Sequence, residues 1–250
     1  MCGRYSNTAE LSEIALTFDA DVSQVSGWRP TYNISPSWGP GFEQLIVVAP
    51  GEAERSVRLA RFWLIPKFWK KPLKELPTAF NARSEDIERR AFFRESLRAQ
   101  RCLIPATGWR EFVGNQGKKQ PFHFRSEAPL FAFAGLWSSW VSPEGVGVDT
   151  FAIITTAPGP TARAVHDRMP LAMPPTLYGD WLGNQVAPEA CLEEAIQVSL
   201  SAPLSVYASD PIGNNPRFEG PEVLKAAPQP QQGALFGATV QRGASSKTKR

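Results

Sequence analysis

Arg101-Cys102-Leu103-Ile104-Pro105-Ala106-Thr107-Gly108-Trp109-Arg110-Glu111-Phe112 reads as a strand, a turn and a second strand. Outward from it, residues 44–49, 56–64, 121–125, 130–137 and 151–156 are short runs rich in Val, Ile, Phe and Trp between Gly and Pro signals, and they predict further strands. Helices are fewer. Asn7 followed three residues later by Glu10 predicts a helix start, with Leu11, Ile14, Ala15 and Phe18 as its apolar stripe. Residues 84–100, carrying Ile87, Ala91, Phe92 and Leu97, predict the longest helix, and residues 174–182 and 188–200 predict two more. Many strands without regular βαβ alternation predict an α+β fold: one β-rich domain over residues 2–225 with flanking helices. From Ala226 the composition turns to Pro, Gln, Gly, Ala, Ser and Lys, too poor in apolar residues to offset the entropy of ordering, so residues 226–250 read as a disordered tail.

At 250 residues and 42% hydrophobic content, with 15 Phe and 8 Trp, the chain can build a packed core. Its longest apolar run, 130–137, is far short of the ~20 residues that span a bilayer, so the expected setting is cytoplasmic and nucleoid-associated, without a membrane partner. Three cysteines, Cys2, Cys102 and Cys191, lack metal-ligand spacing and predict free thiols, with no metal and no cofactor. The formal charge of +3 is a tail effect, because Arg242, Lys247, Lys249 and Arg250 outweigh it. Any affinity of the body for nucleic acid must come from local clustering of charge.

Chemistry starts at position 2. Removal of an initiator Met before a small residue exposes a cysteine that carries both an α-amine and a thiol. The amine, with an ordinary pKa of about 7.7 to 8.0, condenses with an aldehyde to a Schiff base. The thiol on the same residue can then close a five-membered ring, with the high effective concentration of a tethered group. Glu111 lies between aromatic-flanked positions, where a carboxyl has a raised pKa and can move protons near neutrality; the residues alone leave open a pairing with Arg110 or exposure to water. His166, in His166-Asp167-Arg168-Met169-Pro170, is one of two histidines; the other, His123, reads as a side chain on a sheet face. Asn81-Ala82-Arg83-Ser84-Glu85 lies where a loop enters the predicted long helix, a place where Arg83 and free backbone N–H groups can receive a phosphate. Lys67-Phe68-Trp69-Lys70-Lys71-Pro72-Leu73-Lys74 interleaves four cations with two aromatics, as surfaces that bind single strands do.

Taken together, Met-Cys-Gly-Arg-Tyr at the start, Asn-Ala-Arg-Ser-Glu, Arg-Cys-Leu-Ile-Pro-Ala with Gly-Trp-Arg-Glu, and His-Asp-Arg-Met-Pro resemble the SOS response-associated peptidase (SRAP) family. The resemblance extends through Tyr32-Asn33-Ile34-Ser35-Pro36 and Ile212-Gly213-Asn214. It implies a single α+β domain that shields abasic sites in single-stranded DNA by a thiazolidine link to its N-terminal cysteine. It implies further that Cys2 is the nucleophile, that Asn81 positions the N-terminus, and that Glu111 and His166 handle protons. Arg4 and Arg83 would hold phosphates, and Lys67, Phe68, Trp69 and Lys70 would face DNA. The chain departs from the family at Phe62-Trp63, where Trp-Gly is usual, and at Phe112, where Trp is common; Trp63 adds bulk beside the expected groove. Three other activities stay open: a peptidase or amidohydrolase using Cys2, self-removal of Met1 being its minimal form, a lyase acting on the same DNA, and a non-covalent single-strand binder. In the tail, Gln232, Leu235 and Phe236 form a Gln-x-x-Leu-Phe pattern similar to peptides that dock on the replication sliding clamp.

Overall fold

The computed structural model describes residues 2–37, 39–49, 54–114, 119–183 and 185–228, so the clamp-like peptide lies outside the described residues. In chain order the first half holds β1 (Tyr5–Asn7), α1 (Leu11–Phe18), β2 (Thr31–Ile34), β3 (Glu43–Val48), β4 (Ser56–Phe62), β5 (Asn81–Arg83) and α2 (Ala91–Ala99). The central strands follow: β6 (Arg101–Ala106), β7 (Gly108–Val113), β8 (Gln120–Ser126), β9 (Phe131–Val141) and β10 (Gly147–Thr156). The chain continues through α3 (Pro160–Arg163), β11 (Met169–Pro170), β12 (Ala172–Met173), α4 (Tyr178–Leu182), α5 (Pro188–Ser201) and β13 (Leu204–Ala208). The expected α+β character holds, with strands predominating.

Strands β3, β4, β10, β9 and β6 pair in that order, and β6 returns to β3, so the sheet closes on itself. Only β4 and β10 in this ring run parallel, and where β4 ends β5 takes its place beside β10, Asn81 opposite Ile153. The second sheet, in the order β13-β8-β7-β1-β2, is antiparallel throughout. Alternate residues of the closed sheet serve different cores. Leu45, Val47, Leu103, Ala152 and Ile154 pack with Ile14, Phe18, Phe93, Leu97 and Trp181 of the helices. Ile46, Val48, Ile104, Phe133, Phe151 and Ile153 pack with Tyr5, Trp109 and Phe124 of the second sheet. Both faces are buried, which is why these strands read as continuous apolar runs rather than alternating ones.

Two helix expectations are corrected. Asn7 ends β1 instead of starting a helix; α1 is capped three residues later by Glu10, with the Glu13 carboxylate accepting from the Glu10 N–H at 2.8 Å. The long helix shrinks to α2, and residues 84–89 form turns. Ser84 N–H is already taken by the Thr155 carbonyl of β10 at 2.9 Å, and Glu85 is drawn to Arg168, so the chain leaves β5 in sheet register before it can coil. Phe93, not Phe92, is the buried ring of α2. Among the described residues no helix is long and apolar enough to cross a membrane.

The two motifs at residues 32–36 and 212–214 meet in one polar cluster. Asn33 Oδ1 accepts from Arg4 Nη1 at 2.7 Å and from Arg110 Nη2, while its Nδ2 donates to the carbonyls of Asn215 (2.9 Å) and Phe218 (2.7 Å). Arg4 also donates to the carbonyls of Gly213 and Asn214. Burial, with the Arg4 charge beside it, lowers the Arg110 pKa to about 10. A Cβ on Gly213 would overlap that guanidinium, so only glycine fits this close approach. Removing the shared acceptor leaves a buried cation unsatisfied, and Asn33→Ala is expected to cost about 2–4 kcal/mol of stability. Urea denaturation measures it, with Asn214→Ala, which removes an exposed bond from Nδ2 to the Lys119 carbonyl, as a milder comparison.

Candidate active site at the N-terminus

Cys2 is fully buried in the core between the two sheets. Its position follows from β1, which is held between β2 and β7, Tyr5 facing Ile34 on one side and Trp109 on the other. The Arg110 N–H donates to the Arg4 carbonyl at 2.9 Å, extending that pairing toward the terminus. Asn81 Nδ2 donates to the Cys2 carbonyl at 3.2 Å and sits 3.4 Å from the Ile153 carbonyl, so β5 and β10 fix the first residues from the other side. Burial raises the Cys2 thiol pKa well above its ordinary value, and the charge of Glu111 raises it further. The thiol is protonated at neutral pH and needs a base to react.

Two groups able to take a proton lie at this site, Glu111, whose charge acts on the thiol, and His166 beside it. Glu111 is 3% exposed on β7, and burial raises its pKa from 4.5 to about 7, opposed by the positive N-terminus. The alternative of a water-facing carboxylate is thereby excluded. His166 follows α3, its Nε2 lying 3.8 Å from Glu111 Oε2. Its Nδ1 is 3.0 Å from both the Arg168 N–H and the Asp167 carboxylate, so that nitrogen has a partner whether bare or protonated. Burial foremost, then the N-terminal charge, lowers the His166 pKa. A carboxyl raised to about 7 facing an imidazole lowered from its usual value makes a pair that can share and relay one proton near neutrality.

Arg168 fastens the histidine loop. It makes a two-pronged bond to Glu85 (2.5 and 2.9 Å) and donates to the Thr155 carbonyl at 2.6 Å, tying the loop to the segment after β5. Neither this role nor that of Asn33 was assigned from the sequence, although both residues stood inside quoted motifs; each acts through partners far away in the chain.

The structure thus brings Cys2, Asn81, Glu111 and His166 together. The other candidates spread outward. Arg83 is exposed and shares a cleft with Thr78, Phe80, Asn81 and Arg90. Asn81 to Glu85 does not open a helix, so backbone N–H groups of a helix start are not offered to a phosphate there. Arg4 has its guanidinium engaged by Asn33, Gly213 and Asn214. Lys67, Phe68 and Lys70 are exposed on a separate loop, and Trp69 is half-buried. Trp63 packs edge-on against Phe80 at 5.4 Å and donates to the Pro77 carbonyl, so its bulk walls the edge of β5. His123 is buried on β8, its pKa lowered to about 3 by burial and by the Arg110 charge. Among the described residues no group of three His, Cys, Asp or Glu side chains could hold a metal ion.

Ionising Glu111 in place costs stability. Between pH 4.5 and about 7 the folded protein holds a proton that the unfolded chain has released, so this contribution is complete below 4.5 and is lost as pH rises through 7. Glu111→Gln is therefore expected to exceed wild type by about 3 kcal/mol above pH 7 and to differ little near pH 4. Urea titrations at the two pH values measure the difference.

A family model described as "SOS response associated peptidase (SRAP)" matches residues 1–213. The chain is 31% identical over 229 residues to "Abasic site processing protein YoqW" of Bacillus subtilis, covering 90% of this chain and all of the relative. It is 24% identical to "Abasic site processing protein YedK" of Escherichia coli (90% and 99% covered) and 27% identical to "Abasic site processing protein HMCES" of Xenopus tropicalis (80% and 67% covered). Among solved structures, an X-ray structure of a protein from Bacteroides thetaiotaomicron superimposes with a TM-score of 0.77 at 20% identity, covering 90% of this chain and all of that one. One from Bordetella bronchiseptica gives 0.65 at 24% identity, with 84% and 100% covered. The family match, the relatives and the arrangement around Cys2 agree: this chain belongs to the SOS response-associated peptidase family.

Proposed function

We propose that the protein processes abasic sites in single-stranded DNA by covalent capture through Cys2, once Met1 has been removed. The relatives' names supply the substrate class, and one observation carries the chemistry: Cys2 is held by Asn81 beside a proton-sharing pair, Glu111 and His166. An abasic sugar is mostly a closed hemiacetal. Opening it requires a proton to leave the C1′ hydroxyl and another to reach the ring oxygen, which a carboxyl and an imidazole in contact can do together. The Cys2 amine then adds to the C1′ aldehyde and water leaves, giving a Schiff base. The thiol adds across that C=N bond, sulfur joining C1′ and its proton passing to nitrogen. Because burial keeps the thiol protonated, this last step draws on Glu111 or His166 as base. Asn81 Oδ1, buried without a hydrogen-bond partner among the described residues, is an acceptor left for the incoming sugar or the amine.

The test is an adduct assay with a single-stranded oligonucleotide carrying one abasic site. The wild type forms an SDS-stable adduct, Cys2→Ala forms none, and His166→Ala slows capture by roughly 10² without changing the product. The pH–rate profile has an inflection near 7 that Glu111→Gln removes, reflecting the raised carboxyl pKa. A wild type that forms no adduct sinks the reading. An unchanged rate constant in His166→Ala at saturating DNA rejects its proton role.

A second reading concerns Met1. Glu111 beside the Cys2 thiol supports hydrolysis of the amide that precedes Cys2, in keeping with a peptidase family. Mass spectrometry of protein made without methionine aminopeptidase tests it: Met1 is lost from wild type and retained in Glu111→Gln. Retention in wild type excludes self-removal and leaves DNA capture by the processed form intact.

A further inference from the structure

We propose that Arg94 and Arg98 of α2, with Phe68 opposite, form a second binding surface that takes the single strand flanking the reacting nucleotide. The inference rests on abasic DNA as the substrate and extends the site beyond its chemistry. Two clefts adjoin. The first, about 200 Å³, is lined by Phe80, Asn81, Arg83 and Arg90 and starts at the residue that holds Cys2. Arg90 caps α2, and the next residue, Ala91, lines a larger cleft of about 550 Å³ with Phe68, Arg94, Glu95 and Arg98. A strand leaving the Cys2 site past Arg83 and Arg90 has the α2 cleft as its next surface along the chain.

Three features of that cleft suit a polyanion with exposed bases. Arg94 and Arg98 are exposed, one helical turn apart on one face, and in no ion pair among the described residues. Glu95 at the same cleft opposes them, but the surroundings remain basic: residues 67–98 hold nine Lys and Arg against five Asp and Glu, in a chain whose +3 comes from its tail. Two of those five acids, Glu85 and Asp86, are occupied by Arg168 and Arg90. Phe68 is 51% exposed yet supported from behind: it meets Phe92 edge-on at 6.5 Å, Trp69 meets the same ring at 6.3 Å, and the Trp69 carbonyl accepts from the Trp140 indole at 2.9 Å. An apolar ring held out in this way is a ready stacking platform, and cations along one side track the backbone. An acidic protein segment could use the cations, but only a single strand carries both a stackable face and a negative charge on every unit, so charge and ring together favour a single strand.

The experiment compares wild type with Arg94→Ala/Arg98→Ala and with Phe68→Ala. The substrates are an abasic pentanucleotide that reaches only Cys2 and a long abasic strand. Affinity for an intact long oligonucleotide is followed by anisotropy across a salt series. Wild type is expected to capture the long strand faster. The double variant is expected to capture the pentanucleotide at the wild-type rate, lose roughly ten-fold in affinity for long strands, and reduce the log–log salt slope by about 1.4, two phosphate contacts' worth. Phe68→Ala is expected to lose about five-fold or more in affinity with the slope unchanged. Unchanged long-strand affinity and slope in the double variant overturn the proposal. If wild type captures no abasic strand, covalent capture is what has failed, and the anisotropy series still decides whether this surface binds DNA.

Discussion

The side-chain amide of Asn81 donates to the carbonyl of Cys2, and three residues later the chain is already a strand between two partners. A terminal residue is ordinarily the freest part of a protein. Here Cys2, next to the start of the chain, is fixed from one side by β7 and β2 and from the other by β5 and β10, and every other group at the site is arranged around that fixed point. The Arg4–Asn33–Arg110 cluster serves the same end from below. Residues 213–218 fold over β2 and supply carbonyls to the Arg4 guanidinium and to the Asn33 amide, whose oxygen accepts from Arg110, so the segment leading into Cys2 cannot lift away without breaking a buried network.

Burial that immobilises the terminus also sets its reactivity. The same low-dielectric surroundings raise the Cys2 thiol, raise the Glu111 carboxyl to about 7 and lower His166. The thiol is kept from stray oxidation by being protonated and enclosed, and acid and base forms of its neighbours coexist near neutrality. Stability is surrendered for this, because an ionised Glu111 is unfavourable in the folded state at alkaline pH. Arg168 shows how the second half of the pair is kept in place: its bonds to Glu85 and Thr155 couple the histidine loop to the strand that carries Asn81.

Much of this was legible in the sequence, and the physical reason for each miss is specific. Strands β3, β9 and β10 announced themselves because apolar side chains fill both of their faces, and β4 and β8 through the shorter apolar runs that each buries on one face. Strand β1 did not: Tyr5, Ser6 and Asn7 are all buried, but two of the three are polar and the run is too short to show a period. The Asn7 start and the 84–100 helix failed because local propensity was overridden by sheet pairing, Asn7 ending β1 and Ser84 bonding to β10. At the site, Cys2, Asn81, Glu111 and His166 lay in recognisable motifs. Asn33 and Arg168 did not declare what they do, since their partners lie 77 residues away at Arg110 and 83 away at Glu85. Nor did the cleft between Phe68 and α2, which exists only once the loop and the helix are packed side by side.

The most direct test of the account is the mass and chemical character of the adduct with an abasic single strand. Covalent capture by the aminothiol predicts the mass of the chain without Met1 plus that of the oligonucleotide, less one water, with the linkage mapped to Cys2 and no mass gain on borohydride treatment. An adduct that retains Met1, that maps to a lysine, or that survives only after borohydride reduction would contradict it.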